Sequence, residues 1–156
     1  MLCFAAAATE AADIKIGYVD AERINRESAP AERAAKQLEK EFAPRQQELQ
    51  RREAQIKMLQ GQLEREAMTM SESERRAKEQ EIARQGVEYQ RMLREYREDL
   101  NIRRNQEISS LLERANRVIR QIAESEKFDL IVQEAVYRSP QIDITDRVLK
   151  ALAEGK

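Results

Sequence analysis

The chain has 156 residues, with 28 Lys or Arg against 29 Asp or Glu; 37% of it is charged, 4% is aromatic, and it has no histidine or tryptophan. That is too polar for a single compact globule, so it implies one small domain plus an extended charged segment. The composition argues against an enzyme built on histidine bases or ligands, against a nucleotide-driven machine, which would need a glycine-rich phosphate loop, and against a nucleic-acid binder, which would need a basic footprint.

At the N-terminus, Leu2 to Ala8 is a short apolar run followed by Thr9-Glu10-Ala11, a pattern that suits a small-x-small cleavage site. Residues 1–11 read as the remnant of a secretory signal. Leu2 stands before Cys3 where a lipoprotein signal needs a small residue, which argues against lipidation there; if cleavage occurs, the mature chain has no cysteine. No run approaches the roughly 20 apolar residues of a membrane span, so stable membrane insertion is not expected. Lys15 to Val19 is β-branched and aromatic and reads as a strand; Asp20 then caps a short helix over Ala21 to Arg26. Ser28-Ala29-Pro30 restarts helix, because proline is comfortable in a first turn.

Residues 30–126 read as a helical hairpin. The first arm carries Phe42, Leu49, Ile56, Leu63 and Met70 at intervals of seven, with Leu38 and Leu59 interleaved, which is a coiled-coil seam. The turn falls at Met68 to Ser71, since Ser71 followed by Glu74 is a capping box. The second arm carries Ile82, Gly86, Tyr89, Leu93, Tyr96 and Leu100 in steps of four and three, then Ile108, Leu111, Ala115, Val118 and Ile122. The seam is interrupted by Arg45, Arg52 and Glu66 and by Gly61 and Gly86, so it reads as loose rather than rod-like. Pro44 lies inside the first arm, where it removes a hydrogen bond while the stripe continues on both sides; a hinge or a static kink is the expected result.

After the hairpin, Phe128 to Val132 reads as a buried strand and Ala135-Val136-Tyr137 as another, and Asp143 caps a final helix bearing Ile144, Val148, Leu149 and Leu152. Residues 12–29 and 127–156 therefore make a β-rich body of about three strands, and the fold class is α+β. Three strands leave exposed edges, and Ile16, Tyr18, Leu130, Val132, Val136 and Tyr137 need burial, which points to closure between subunits.

The segments Lys15-Ile16-Gly17-Tyr18-Val19-Asp20, Phe128-Asp129-Leu130-Ile131-Val132 and Val136-Tyr137-Arg138-Ser139-Pro140-Gln141-Ile142-Asp143-Ile144-Thr145 resemble the Skp (OmpH-like) periplasmic chaperone family. The resemblance implies a homotrimer whose strands build the body and whose three hairpins extend around a cavity. It also implies periplasmic location and ATP-independent holding of unfolded outer-membrane proteins, with no cofactor. The near balance of charge departs from the basic enterobacterial form. Ile102 beside Arg103 stands where that form has a second basic residue, so the family's suggested lipopolysaccharide contact is not carried over.

On spacing alone, Phe42, Leu49, Ile56, Leu63, Ile82, Leu93 and Leu100 belong to the seam between the arms. Met58, Met68, Met70 and Met92 are the better client-facing candidates, because methionine adapts to many shapes. The competing reading is a structural or adaptor coiled coil of the cell envelope. Carboxylate neighbours such as Glu79 with Glu81 and Glu98 with Asp99 do not face each other on a helix, and read as a solvated surface.

Overall fold

The structure, a computed structural model, describes residues 13–155; the expected signal remnant and Cys3 lie outside them. Elements run in the order β1 (Ile16–Tyr18), α1 (Ala21–Glu27), α2 (Ala29–Glu66), α3 (Glu72–Glu126), β2 (Leu130–Val132), a 3-10 turn (Pro140–Ile142) and α4 (Thr145–Ala153). They fall into two units, one formed by the two ends of the chain, up to Ala31 and from Leu111 on, and the other by Glu32–Ser110.

In the terminal unit, Asp20 caps α1 by accepting from the Arg23 amide at 2.9 Å. Extended backbone at Ser28 separates α1 from α2, and the buried Ser28 hydroxyl accepts from Ala31 N at 3.3 Å. Pro30 therefore sits where a missing N–H costs nothing. Strands β1 and β2 pair in parallel with Ile16 opposite Leu130, Gly17 opposite Ile131 and Tyr18 opposite Val132. A parallel pair needs a long crossover, which the two long helices supply.

Gly17 is required by what crosses it: a Cβ there would stand 3.2 Å and 3.3 Å from Phe128 ring carbons and 3.4 Å from Ile131. Phe128 reaches that position because α3 ends in a Schellman turn, with Phe128 N donating to Ala123 O at 3.0 Å and Lys127 left-handed at φ 57°. The core unites Val19, Ile24, Ala115, Val118, Ile144, Val148 and Leu152. Ala115 and Val118 lie in the stretch that periodicity assigns to the hairpin, and they reach this core because their stripe meets α1 and α4 residues.

Two expectations need correction here. Ala135-Val136-Tyr137 is not a strand of the single chain, so the described residues hold two paired strands and one isolated bridge rather than three strands. The free side of β1 is taken by Asp143, bridged to Tyr18, with Ile144 N donating to Tyr18 O at 2.9 Å. On the side of β2, Gln133-Glu134 lacks the Asn or Gly that a two-residue hairpin turn demands. The cap of α4 is likewise shifted: Ile144 is the N-cap, and its hydrocarbon side chain, packed in the core, has no atom that could accept an amide hydrogen bond. Asp143 still helps by accepting from Thr145 N at 2.9 Å.

In the second unit the turn is built as the capping box requires. Glu74 N donates to Ser71 Oγ at 3.3 Å and Ser71 N donates to Glu74 Oε2 at 2.9 Å. Phe42 and Leu49 are buried, and Phe42 meets Tyr96 edge-on with centroids 5.7 Å apart. Leu38, Ile56, Leu59, Leu63, Ile82, Leu93 and Leu100 are half-buried, as a narrow two-helix seam allows. The polar interruption at Arg45 is a bridge: its guanidinium pairs with Asp99 on α3 at 2.7 Å. Arg103 pairs back to Glu41 at 3.3 Å. Helix α2 continues through the exposed Pro44.

Candidate functional site

Two separate apolar surfaces stand out, one in each unit. In residues 32–110, Met68 is 96% exposed at the turn and Met58 is 54% exposed on α2. Met70 and Met92 are half-buried, so the four methionines are not equivalent. The structure adds Val87, 72% exposed, and Ile102, 54% exposed, both on α3. Neither residue belongs to the seam series Ile82, Gly86, Tyr89, Leu93, Tyr96, Leu100, and an apolar residue off its stripe is the signal that a helical projection of the sequence offers. The two are fifteen residues apart, close to four full turns, so they share one side of α3.

Charge along the same helices is locally neutralised. Glu48 pairs with Arg51 at 3.2 Å and Arg52 at 3.0 Å, Lys57 with Glu53 at 2.7 Å, and Arg91 with both Glu88 and Glu95 at 2.6 Å and 2.7 Å. A cleft of about 890 Å³ beside these residues is lined by Glu48, Glu81 and Glu88 with Arg51, Arg52 and Arg84. One of its carboxylates has the wrong electrostatics for a general acid, because hydrogen bonds from Arg91 hold Glu88 below its ordinary pKa; Glu81 is engaged by Arg84 and Gln85. Such pairs keep an exposed helix soluble and contribute little each. Among the described residues no group of His, Cys, Asp and Glu is arranged to hold a metal, and no helix is long and apolar enough to cross a membrane.

The second surface lies in the terminal unit. Val136 is fully exposed and Tyr137 is 83% exposed, and Ile14, Ile16 and Leu130 add further open apolar area. Of the body residues expected to need a partner, Tyr18 is instead buried and Val132 half-buried. Tyr18 is covered within its own chain, because the Arg138 guanidinium lies 4.4 Å from its ring centroid. Each surface is a set of uncovered apolar side chains framed by charge, which is chemistry for contact with another polypeptide.

Residues 15–152 match the family described as outer membrane protein (OmpH-like). Chaperone protein Skp of Yersinia enterocolitica is 30% identical over 148 residues, covering 94% of this chain and 89% of that protein. Chaperone protein Skp of Photorhabdus luminescens is 33% identical over 151 residues, covering 96% and 90%. The crystal structure of an OmpH-like protein from Caulobacter crescentus superposes with a TM-score of 0.78 over 99% of this chain and 92% of its own, at 16% identity, and so shares the fold.

Proposed function

The chain belongs to the OmpH-like outer membrane protein family, and on that premise we propose that it is a holdase chaperone of the periplasm that binds unfolded outer-membrane β-barrel proteins and keeps them from aggregating. The observation that carries this reading is the exposure of Met58, Met68, Val87 and Ile102 on helices otherwise clothed in paired charges. Isolated apolar contacts of that kind offer many weak footholds to an unfolded chain, and the surrounding charges keep the complex soluble. Methionine suits the task because its unbranched, polarizable side chain adapts to many surfaces.

Holding a client in this way needs no bond to be made or broken, so ATP plays no part in the proposed cycle. The working form is a homotrimer closed through the terminal units, a reading supported by the open edge of β2 and the exposure of Leu130, Val136 and Tyr137. The test is dilution of a urea-unfolded outer-membrane barrel into buffer containing the protein and no nucleotide, followed by light scattering. A holdase suppresses the scattering. An adaptor coiled coil, the competing reading, leaves it unchanged.

A further inference from the structure

Resting on the reading of the chain as a self-associating protein, we propose that Arg138 is a positioning residue for assembly, holding Ala135-Val136-Tyr137 in the conformation that docks on a second copy of the chain. Arg138 is the first half-buried residue after five exposed ones, Gln133 to Tyr137, and three of its contacts tie it to the body. Its guanidinium carbon lies 4.4 Å from the Tyr18 ring centroid in β1, one nitrogen is hydrogen-bonded to the Asp143 carboxylate, and another stands 3.9 Å from Asp20 Oδ2.

Those partners are themselves immobilised. Asp143 accepts from Thr145 N at 2.9 Å, Asp20 accepts from Arg23 N at 2.9 Å, and Asp20 N donates to the Thr145 hydroxyl at 2.9 Å. Thr145 is completely buried. Arg138 is thus fastened at once to β1 and to the starts of α1 and α4. Val132, hydrogen-bonded through its carbonyl to Val19 N at 2.9 Å, fastens the other end of the same short segment.

The occupant is a second copy because each chain carries both halves of the contact. Among the described residues β2 has one strand neighbour, β1, whose far side is taken by Asp143, so the outer edge of Leu130–Val132 is open. Val136 and Tyr137, β-branched and aromatic, have no strand partner of their own and expose nearly their whole side chains. An open edge and an unpaired β-prone segment on identical subunits are self-complementary. A loose segment would pay its ordering entropy on docking; a segment already pinned at Val132 and Arg138 has little left to lose.

The experiment compares the full chain with Arg138→Met, Arg138→Lys, Val136→Ser and the Arg138→Met/Val136→Ser pair by sedimentation velocity across a concentration series, with circular dichroism as the check on folding. The expected result is assembly weakened about tenfold or more in Arg138→Met, partly restored in Arg138→Lys, and a double variant little weaker than its worse parent, because both changes act on one contact. Assembly of a folded Arg138→Met as tight as the wild type, or losses that simply multiply in the double variant, would overturn the inference while leaving the oligomer intact. A wild-type chain that sediments as a monomer at micromolar concentration overturns the oligomer reading, and the inference with it.

Discussion

The Lys15 ammonium donates to the main-chain carbonyl of Glu126 at 2.8 Å, so the start of the chain caps the last turn of a helix that ends 111 residues later. The same ammonium lies 4.2 Å from the Phe128 ring centroid. A cation at a helix C-terminus satisfies an orphan carbonyl and complements the helix dipole. Lys15→Met keeps much of the aliphatic stem and removes both effects, and should lower stability by about 1 kcal/mol, seen as a melting temperature lower by a few degrees at fixed protomer concentration.

Two glycines should respond to alanine in opposite directions. At Gly17 the new Cβ meets the Phe128 ring at 3.2 Å, and the ring is held by the end of α3, so Gly17→Ala should cost about 1 to 3 kcal/mol. At Gly86 nothing lies within 4 Å of the added carbon, and Gly86→Ala should stabilise α3 by about 0.5 to 1 kcal/mol. Urea midpoints of the two variants on either side of the wild type are the expected outcome; a shift in the same direction for both contradicts it.

Acid should unfasten the terminal unit through Asp143. Burial acts to raise its pKa, but hydrogen bonds from the Thr145 hydroxyl and amide, with the nearby Arg138 and Arg23, together hold it below the ordinary value of 3.8. A group depressed in the folded state contributes stability that is present above its unfolded pKa and lost as pH falls through the folded one. Wild type should therefore be more stable than Asp143→Asn at neutral pH, with the difference unchanged down to about pH 5 and gone well below pH 4. Thermal melts of both proteins across that range check it.

Pro44 is proposed as a hinge in α2. It lies in an unbroken helix between the two buried seam residues Phe42 and Leu49, so the helix is anchored on both sides of a missing hydrogen bond. Amides over residues 43–47 should exchange faster than those around Leu49, and should slow in Pro44→Ala, which should also protect large clients less well than small ones. Equal protection of both by the variant would leave Pro44 as a static kink.

The local grammar of the chain was readable because each signal acts within a few residues. Asp20 caps α1, Ser71 and Glu74 close the turn, and Phe42 and Leu49, one heptad apart, are buried, each by chemistry contained in one helical turn or one heptad. What eluded the sequence is long-range. The strand expected at Ala135 to Tyr137 is barred from β1 by Asp143, although its failure to pair with β2 is local and lies in the Gln133-Glu134 link, and the shifted start of α4 accompanies the burial of Ile144 in the core. The fit of Gly17 beneath Phe128 joins residues from opposite ends of the chain. Val87 and Ile102 were not legible for a different reason: they lie beside the periodic stripe, where an apolar residue adds nothing to its repeat.

On the proposed reading, exposed apolar side chains on α2 and α3, rather than charge, hold the client. The direct measurement is the dissociation constant for a fluorescently labelled, urea-unfolded outer-membrane barrel, without nucleotide, for the wild type and a Met58→Ser/Met68→Ser/Val87→Ser variant at low and physiological salt. The expected result is saturable wild-type binding that changes less than about tenfold with salt, and a loss of about tenfold or more in the variant. Undiminished binding by the folded variant, together with wild-type affinity that collapses with salt, would contradict it.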